Sequence, residues 1–180
     1  MRRPHGNCYW VRPGQLLAGE YPAAPEAPLA RRRLGATLDV GVRSFLDLTE
    51  SDELPDYRGW LKAEAELRGM NVEHERRAVT DMAVPPAATM AAILDHIDAR
   101  VAANRPVYVH CYAGVGRTGT VVGCWLVRHG DSGEQALHTL SHLWRTVEKS
   151  WYLQRSPQTD EQHDFVLGWA ERERSAGGRR

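Results

Sequence analysis

The sequence is short of the features that would place it in several large protein classes. No stretch approaches the ~18 uninterrupted apolar residues of a membrane-spanning helix, and no N-terminal apolar run resembles a secretory signal. Formal net charge is zero over 180 residues, so composition supplies no global field for nucleic acid or a membrane, and neither partner is expected. Cysteine is scarce and odd in number: Cys8, Cys111 and Cys124 imply no disulfide framework. A reducing, cytoplasmic setting is the expectation, and it suits a free thiol. Lysine is nearly absent, with Lys62 and Lys149 set against 21 arginines. Most of those arginines are scattered, which reads as a genomic or solubility trait. The run Arg31-Arg32-Arg33 reads as a solvated helix face.

What is present is an alternation of strand and helix patterns. Residues 1–14 read as an extended lead-in broken by Pro4, Gly6, Pro13 and Gly14. Gln15 to Glu20 reads as a short strand, Leu29 to Leu38 as a helix and Arg43 to Leu48 as a second strand, followed by the polar loop Thr49-Glu50-Ser51-Asp52. Residues 56–68 follow as a helix, 70–79 as an extended segment and 80–86 as a Pro-marked loop. The stripe Met90, Ile93, Leu94, Ile97 and Val101 predicts a helix over 87–103. A further helix is expected over 133–147. A last one is expected to open at Ser156-Pro157, with Ser156 as N-cap and Pro157 in the first turn, burying Phe165, Val166 and Trp169. This order predicts one α/β domain over 1–174, a mostly parallel sheet of four to five strands with helices on both faces. A disordered tail is expected over 175–180.

The chain is organised around residues 106–120. Val107, Tyr108 and Val109 read as a buried strand running into Cys111, and from Arg117 the pattern becomes helical, with Val121, Val122, Trp125 and Leu126 inward. The glycines between allow a sharp turn. The thiol therefore lies where the backbone N–H groups of Tyr112, Ala113, Gly114, Val115, Gly116 and Arg117 converge at a helix N-terminus, an anion site with a nucleophile in its floor. A free thiol with pKa ~8.5 is mostly protonated at neutral pH, and the helix terminus and Arg117 favour the thiolate. The guanidinium of Arg117 is a planar fork matching two oxygens of a phosphoryl group. Thr118 can donate a hydroxyl hydrogen bond to the sulfur, and His110 reads as a support of the loop backbone rather than a base. A cysteine six residues before an arginine is common by chance; His110, Gly114, Gly116 and Thr118 at their offsets make the combination specific.

The run from His110 to Gly119 resembles the phosphate-binding loop of the cysteine-dependent protein tyrosine phosphatase superfamily, in its compact dual-specificity and bacterial form. The resemblance implies that Cys111 attacks phosphorus to give a phosphocysteine that water then hydrolyses. It implies a general acid on an upstream loop, and Asp81, followed by Pro85 and Pro86 and thirty residues before Cys111, takes that place. Asp47 is the main rival, although it lies within a strand pattern. Gln158 and Gln162, with Phe165 three residues further on, resemble the family's glutamine loop. At i and i+4 they are expected to share a helix face and to orient the hydrolytic water.

Phosphotyrosine is the expected substrate, in a phosphorylated protein or peptide, with phosphoserine and phosphothreonine also in range. Tyr112, Ala113 and Val115 carry no charge for a phosphoinositide headgroup, although Arg76, Arg77 and Arg155 could supply it from neighbouring loops. A non-catalytic phosphate-recognition module and sulfur or arsenate chemistry are the alternatives. No Lys precedes Thr118 or Thr120 as a nucleotide loop requires. His138 and His142 have metal-ligand spacing but lie opposite the apolar stripe of their helix with no third ligand nearby, so no metal or other cofactor is expected. Cys124 reads as a core residue.

Overall fold

The computed structural model describes residues 1–177. Its elements, in order, are β1 (Cys8–Arg12), β2 (Leu16–Gly19), α1 (Ala27–Asp39), β3 (Ser44–Asp47), α2 (Arg58–Leu67), β4 (Glu73–Arg76), α3 (Ala87–Ala102), β5 (Val107–His110), α4 (Gly116–Arg128), α5 (Gly133–Trp144), a 3₁₀ turn (Glu148–Trp151), α6 (Asp160–Leu167) and α7 (Trp169–Gly177). The sheet order is β1-β2-β5-β3-β4; β1 is antiparallel to β2 and the other pairs are parallel. Among the described residues no helix is long and apolar enough to cross a membrane.

Alternation along the strands sorts side chains onto two faces. Leu16, Ala18, Val107 and Val109 face a core shared with α3 to α7, whereas Leu17, Phe45 and Tyr108 face α1 and α2. Burial of each large apolar side chain here is worth about 1.5–3 kcal/mol. With helices on both faces, the α/β layering expected from the sequence is the observed one.

Two expectations are corrected. The lead-in contains β1, because Pro13-Gly14 is a hairpin turn rather than a break: Gln15 N–H donates to the Arg12 carbonyl at 3.0 Å, with Gly14 at φ +72°. The helix expected to open at Ser156-Pro157 begins at Asp160, capped by Thr159 in a reciprocal box with Gln162. Ser156 is not a cap, because its hydroxyl donates to the Val115 carbonyl at 2.7 Å. Helix α7 continues through Ser175 to Gly177, into the stretch expected as a tail, and 178–180 lie outside the described residues.

Candidate active site

Strand β5, held between β2 and β3, delivers Cys111 to the C-terminal edge of the sheet, and α4 starts at Gly116. The connecting loop folds tightly because Gly114 sits at φ +75° against the backbone of Gly19 and Glu20, where a Cβ would collide. Among the described residues, none of the backbone N–H groups from Tyr112 to Arg117 has a hydrogen-bond acceptor. Cys111, at the start of the loop, is 2% exposed. Three other elements brace the loop from outside. Ser156 holds Val115, Tyr21 N–H donates to the Tyr112 carbonyl at 3.0 Å, and Lys149 Nζ donates to the Ala113 carbonyl at 3.1 Å while pairing with Glu20 at 2.6 Å.

Arg117, on the first turn of α4, is 2% exposed and is fixed by a carboxylate the sequence reading did not single out. Glu53 takes Nη1 at 2.7 Å and Nη2 at 2.6 Å, and Nη1 also donates to the Val79 carbonyl at 3.2 Å. Burial works against the guanidinium charge, but Glu53, Cys111 and Asp81 outweigh it and hold the pKa above its ordinary value. Arg117 in turn holds the Glu53 carboxyl below its ordinary value. The missed signal was a buried arginine, which requires a carboxylate; the loop after β3, beside β5 in the sheet, was the place to look. Arg117 Nε and the Thr118 hydroxyl are buried without a hydrogen-bond partner, so the expected Thr118 bond to sulfur is not formed in this state.

Asp81 is brought to the same point. Its Oδ1 lies 3.0 Å from Arg117 Nη2, and its side chain is 63% exposed. The Asp81 loop turns at Met82, at φ +61°, and is tied down by Gln162 Nε2, which donates to the Ala83 carbonyl at 3.2 Å. The rival Asp47 is fully buried and committed to other partners, accepting from the Thr49 N–H at 2.9 Å and hydroxyl at 2.7 Å and pairing with Arg76 at 2.9 Å. Burial opposes its charge, yet His74, His110 and Thr49 hold its carboxyl well below the usual carboxylate range.

His110 is fully buried behind the loop. Burial pushes its pKa down to about 4, so the ring is neutral at neutral pH. Nδ1 lies 3.3 Å from the Cys111 carbonyl, which can only accept, so Nδ1 carries the proton. Nε2 therefore accepts from the Tyr57 hydroxyl at 2.7 Å, a partner not foreseen from sequence.

The glutamines do not share a helix face. Gln158 precedes α6, and Gln162 is its fully buried N3 residue, whose Oε1 accepts from the N–H groups of Gln158 and Thr159 at 3.1 and 3.2 Å. Both nevertheless pack against Gly116. Of the remaining cysteines, Cys124 is buried in α4 with its pKa raised well above the usual thiol value by desolvation, and Cys8 is pushed up by burial to about 11. His138 and His142 lie on the exposed side of α5, and among the described residues no group of three or more His, Cys, Asp or Glu could hold a metal.

Comparison with known proteins matches a family model described as PTP-SAK, a Swiss Army Knife protein, DSP-PTPase phosphatase domain, over residues 5–166. Tk-PTP in its active form is similar at 25% identity, with a TM-score of 0.69 over 93% of this chain and 97% of that one. PTPMT1 in complex with PI(5)P shares the fold at 23% identity and a TM-score of 0.67, over 96% and 97% of the two chains. TpbA of P. aeruginosa in complex with pTyr shares it at 17% identity and 0.69, over 98% and 94%. An uncharacterized protein of Methanocaldococcus jannaschii, MJECL20, is 29% identical over 89 residues, 49% of this chain. The match spans 54% of that protein, about half its length.

Proposed function

The chain belongs to the DSP-PTPase phosphatase family, and on that premise we propose that it hydrolyses phosphotyrosine through a phosphocysteine on Cys111, with phosphoserine and phosphothreonine also in range. The observation that carries this reading is the run of free backbone N–H groups from Tyr112 to Arg117 that follows a buried thiol in a tight loop. These donors, with the unpartnered Arg117 Nε, suit the three non-bridging oxygens of a phosphoryl group.

In the first step the Cys111 thiolate attacks phosphorus, the P–S bond forms and the P–O bond to the leaving group breaks. Asp81, as the carboxylic acid, gives its proton to the departing oxygen. To do so it leaves Arg117 Nη2, whose freed N–H a phosphoryl oxygen then engages while Glu53 keeps its own bonds. In the second step water attacks phosphorus, the Asp81 carboxylate takes its proton, and the P–S bond breaks to release phosphate and thiolate. The Thr118 hydroxyl, free of other partners, is available to stabilise the departing sulfur. Gln158, whose Cβ lies beside Gly116, orients the water. Gln162 acts as a positioning residue through its bonds to the acid loop and the α6 cap. His110 supports the Cys111 carbonyl and transfers no proton.

The test is hydrolysis of p-nitrophenyl phosphate by the purified chain without added metal, and its loss in Cys111→Ser. Substantial turnover surviving that substitution would exclude the mechanism.

A further inference from the structure

The surroundings of Cys111 carry an apolar surface that the chemistry above does not use. Among the described residues seven large apolar side chains are exposed, and four of them, Met82, Tyr112, Trp151 and Tyr152, come from the three segments around the site. That concentration is what a binding surface produces and what scattered exposure does not. Trp151 is 80% exposed and its ring lies edge-on to Tyr152 at 4.9 Å. Tyr152 lines a cleft of about 530 Å³ with Leu153, Arg155, Val115 and Gln158, so the cleft is continuous with the phosphate loop.

The support under these aromatics is rigid. Lys149, two residues before Trp151, is bonded to Ala113, and the Trp144 indole donates to the Leu153 carbonyl at 2.6 Å. Arg155 in the cleft, Lys149 beneath the loop, and the Arg76 and Arg77 that the sequence offered for a headgroup are each paired. Arg155 pairs with Asp160 at 2.7 Å, Lys149 with Glu20 at 2.6 Å, Arg76 with Asp47 at 2.9 Å and Arg77 with Glu75 at 2.6 Å. A second phosphate on the substrate would therefore meet charge-compensated arginines, whereas an apolar side chain would meet open aromatic surface.

Resting on the phosphatase reading, we infer that Trp151 and Tyr152 form a subsite for a phosphorylated polypeptide, taking a large apolar side chain adjacent to the phosphoresidue into the cleft beside Val115. The phosphoresidue enters the loop, and the neighbouring residue stacks on the aromatic pair. The substrate class is a phosphopeptide segment with an apolar flank, not a multiply phosphorylated headgroup.

The experiment measures kcat/KM on p-nitrophenyl phosphate and on two phosphotyrosyl peptides of equal length, one flanked by leucine and one by glycine. The unmodified chain is expected to prefer the leucine peptide by about ten-fold, the scale of burying one apolar side chain. Trp151→Ala and Tyr152→Ala, both at exposed positions, are expected to erase that preference, mainly through KM, and to lower the ratio of peptide to p-nitrophenyl phosphate activity by the same factor. Preference that survives both substitutions, or peptide and p-nitrophenyl phosphate activities that fall together, would overturn the subsite. So would faster turnover of a phosphoinositide in vesicles than of the leucine peptide. The same two peptides titrated against Cys111→Ser give a readout independent of turnover. A Kd difference lost in Cys111→Ser combined with Trp151→Ala supports the subsite even if the hydrolytic reading fails, and equal affinities reject it.

Discussion

Glu53 offers the sharpest test of how the phosphate clamp is built. It accepts both Nη donors of an arginine whose side chain is 1% exposed, while its own side chain is 22% exposed. Glu53→Gln keeps the shape, but one amide oxygen replaces two carboxylate oxygens and the amide N–H₂ faces a guanidinium donor. Two hydrogen bonds between opposite charges, of about 1.5–3 kcal/mol each, become at most one from the guanidinium to a neutral amide oxygen, at the lower end of that range. Val79 and Asp81, at 3.2 and 3.0 Å, offset part of the loss. A net destabilisation of about 2 kcal/mol follows, which for a domain of this size lowers Tm by about 4–8 °C. The same mispositioning of Arg117 should reduce kcat/KM on an aryl phosphate by about ten- to thirty-fold. Stabilisation by bound phosphate follows its affinity, so a mispositioned Arg117 that binds it more weakly should widen the Tm gap to the unmodified chain as inorganic phosphate is added. The gap should also depend on pH. The folded-state pKa of Glu53 lies below its ordinary value of 4.5, so its contribution is complete above that pH and fades as pH falls through the lowered value. Scanning calorimetry and steady-state kinetics read all of these. A variant with unchanged Tm and kcat/KM within two-fold would refute the assignment of Glu53 as the anchor of the clamp.

Three further outcomes are expected. Asp81→Asn should lower kcat about 10²-fold or more on alkyl phosphates, less on activated aryl phosphates, and remove the basic limb of the pH–rate profile; an unchanged profile places the acid elsewhere. Gln162→Ala should cost about 1 kcal/mol through the broken α6 cap and loosen the acid loop, whereas Gln158→Ala should leave stability alone and let phosphocysteine accumulate in rapid-quench samples. Equal effects of the two substitutions would contradict the division of roles. His110 has a folded-state pKa of about 4 against 6.5 unfolded, so the unfolded chain binds the extra proton first and stability should fall as pH drops from about 6.5 to about 4. Urea titrations should show His110→Asn losing less than the unmodified chain over that interval; identical slopes would mean that His110 does not carry this dependence.

Much of this protein was legible in local order. The Cys111 loop could be read because its chemistry is contiguous: a strand, a thiol, glycines, an arginine and a helix start lie within fifteen residues of one another, and short-range geometry leaves them few other arrangements. The helices α1 and α3 could be read for the same reason, since 3.6-residue periodicity is a local property. The loop carrying Asp81 was legible from its prolines, and its proposed acid role from the resemblance, whereas the pairing of Asp81 with Arg117 came from the fold. Other features were settled by contacts between distant segments, which no spacing encodes. Glu53 reaches Arg117 across 64 residues, Tyr57 reaches His110 across 53, and Gln162 reaches Ala83 across 79. Gln158 and Gln162 looked like one helix face, but the better cap at Thr159 delayed the helix and turned Gln162 inward. The sequence by itself determined that a thiol and a guanidinium share one tight strand-to-helix turn, because adjacency along the chain forces it. Only the tertiary structure decided which carboxylate holds that guanidinium and which side chains wall the mouth. Those partners are selected by the sheet order and by burial, which bring together residues the chain keeps far apart.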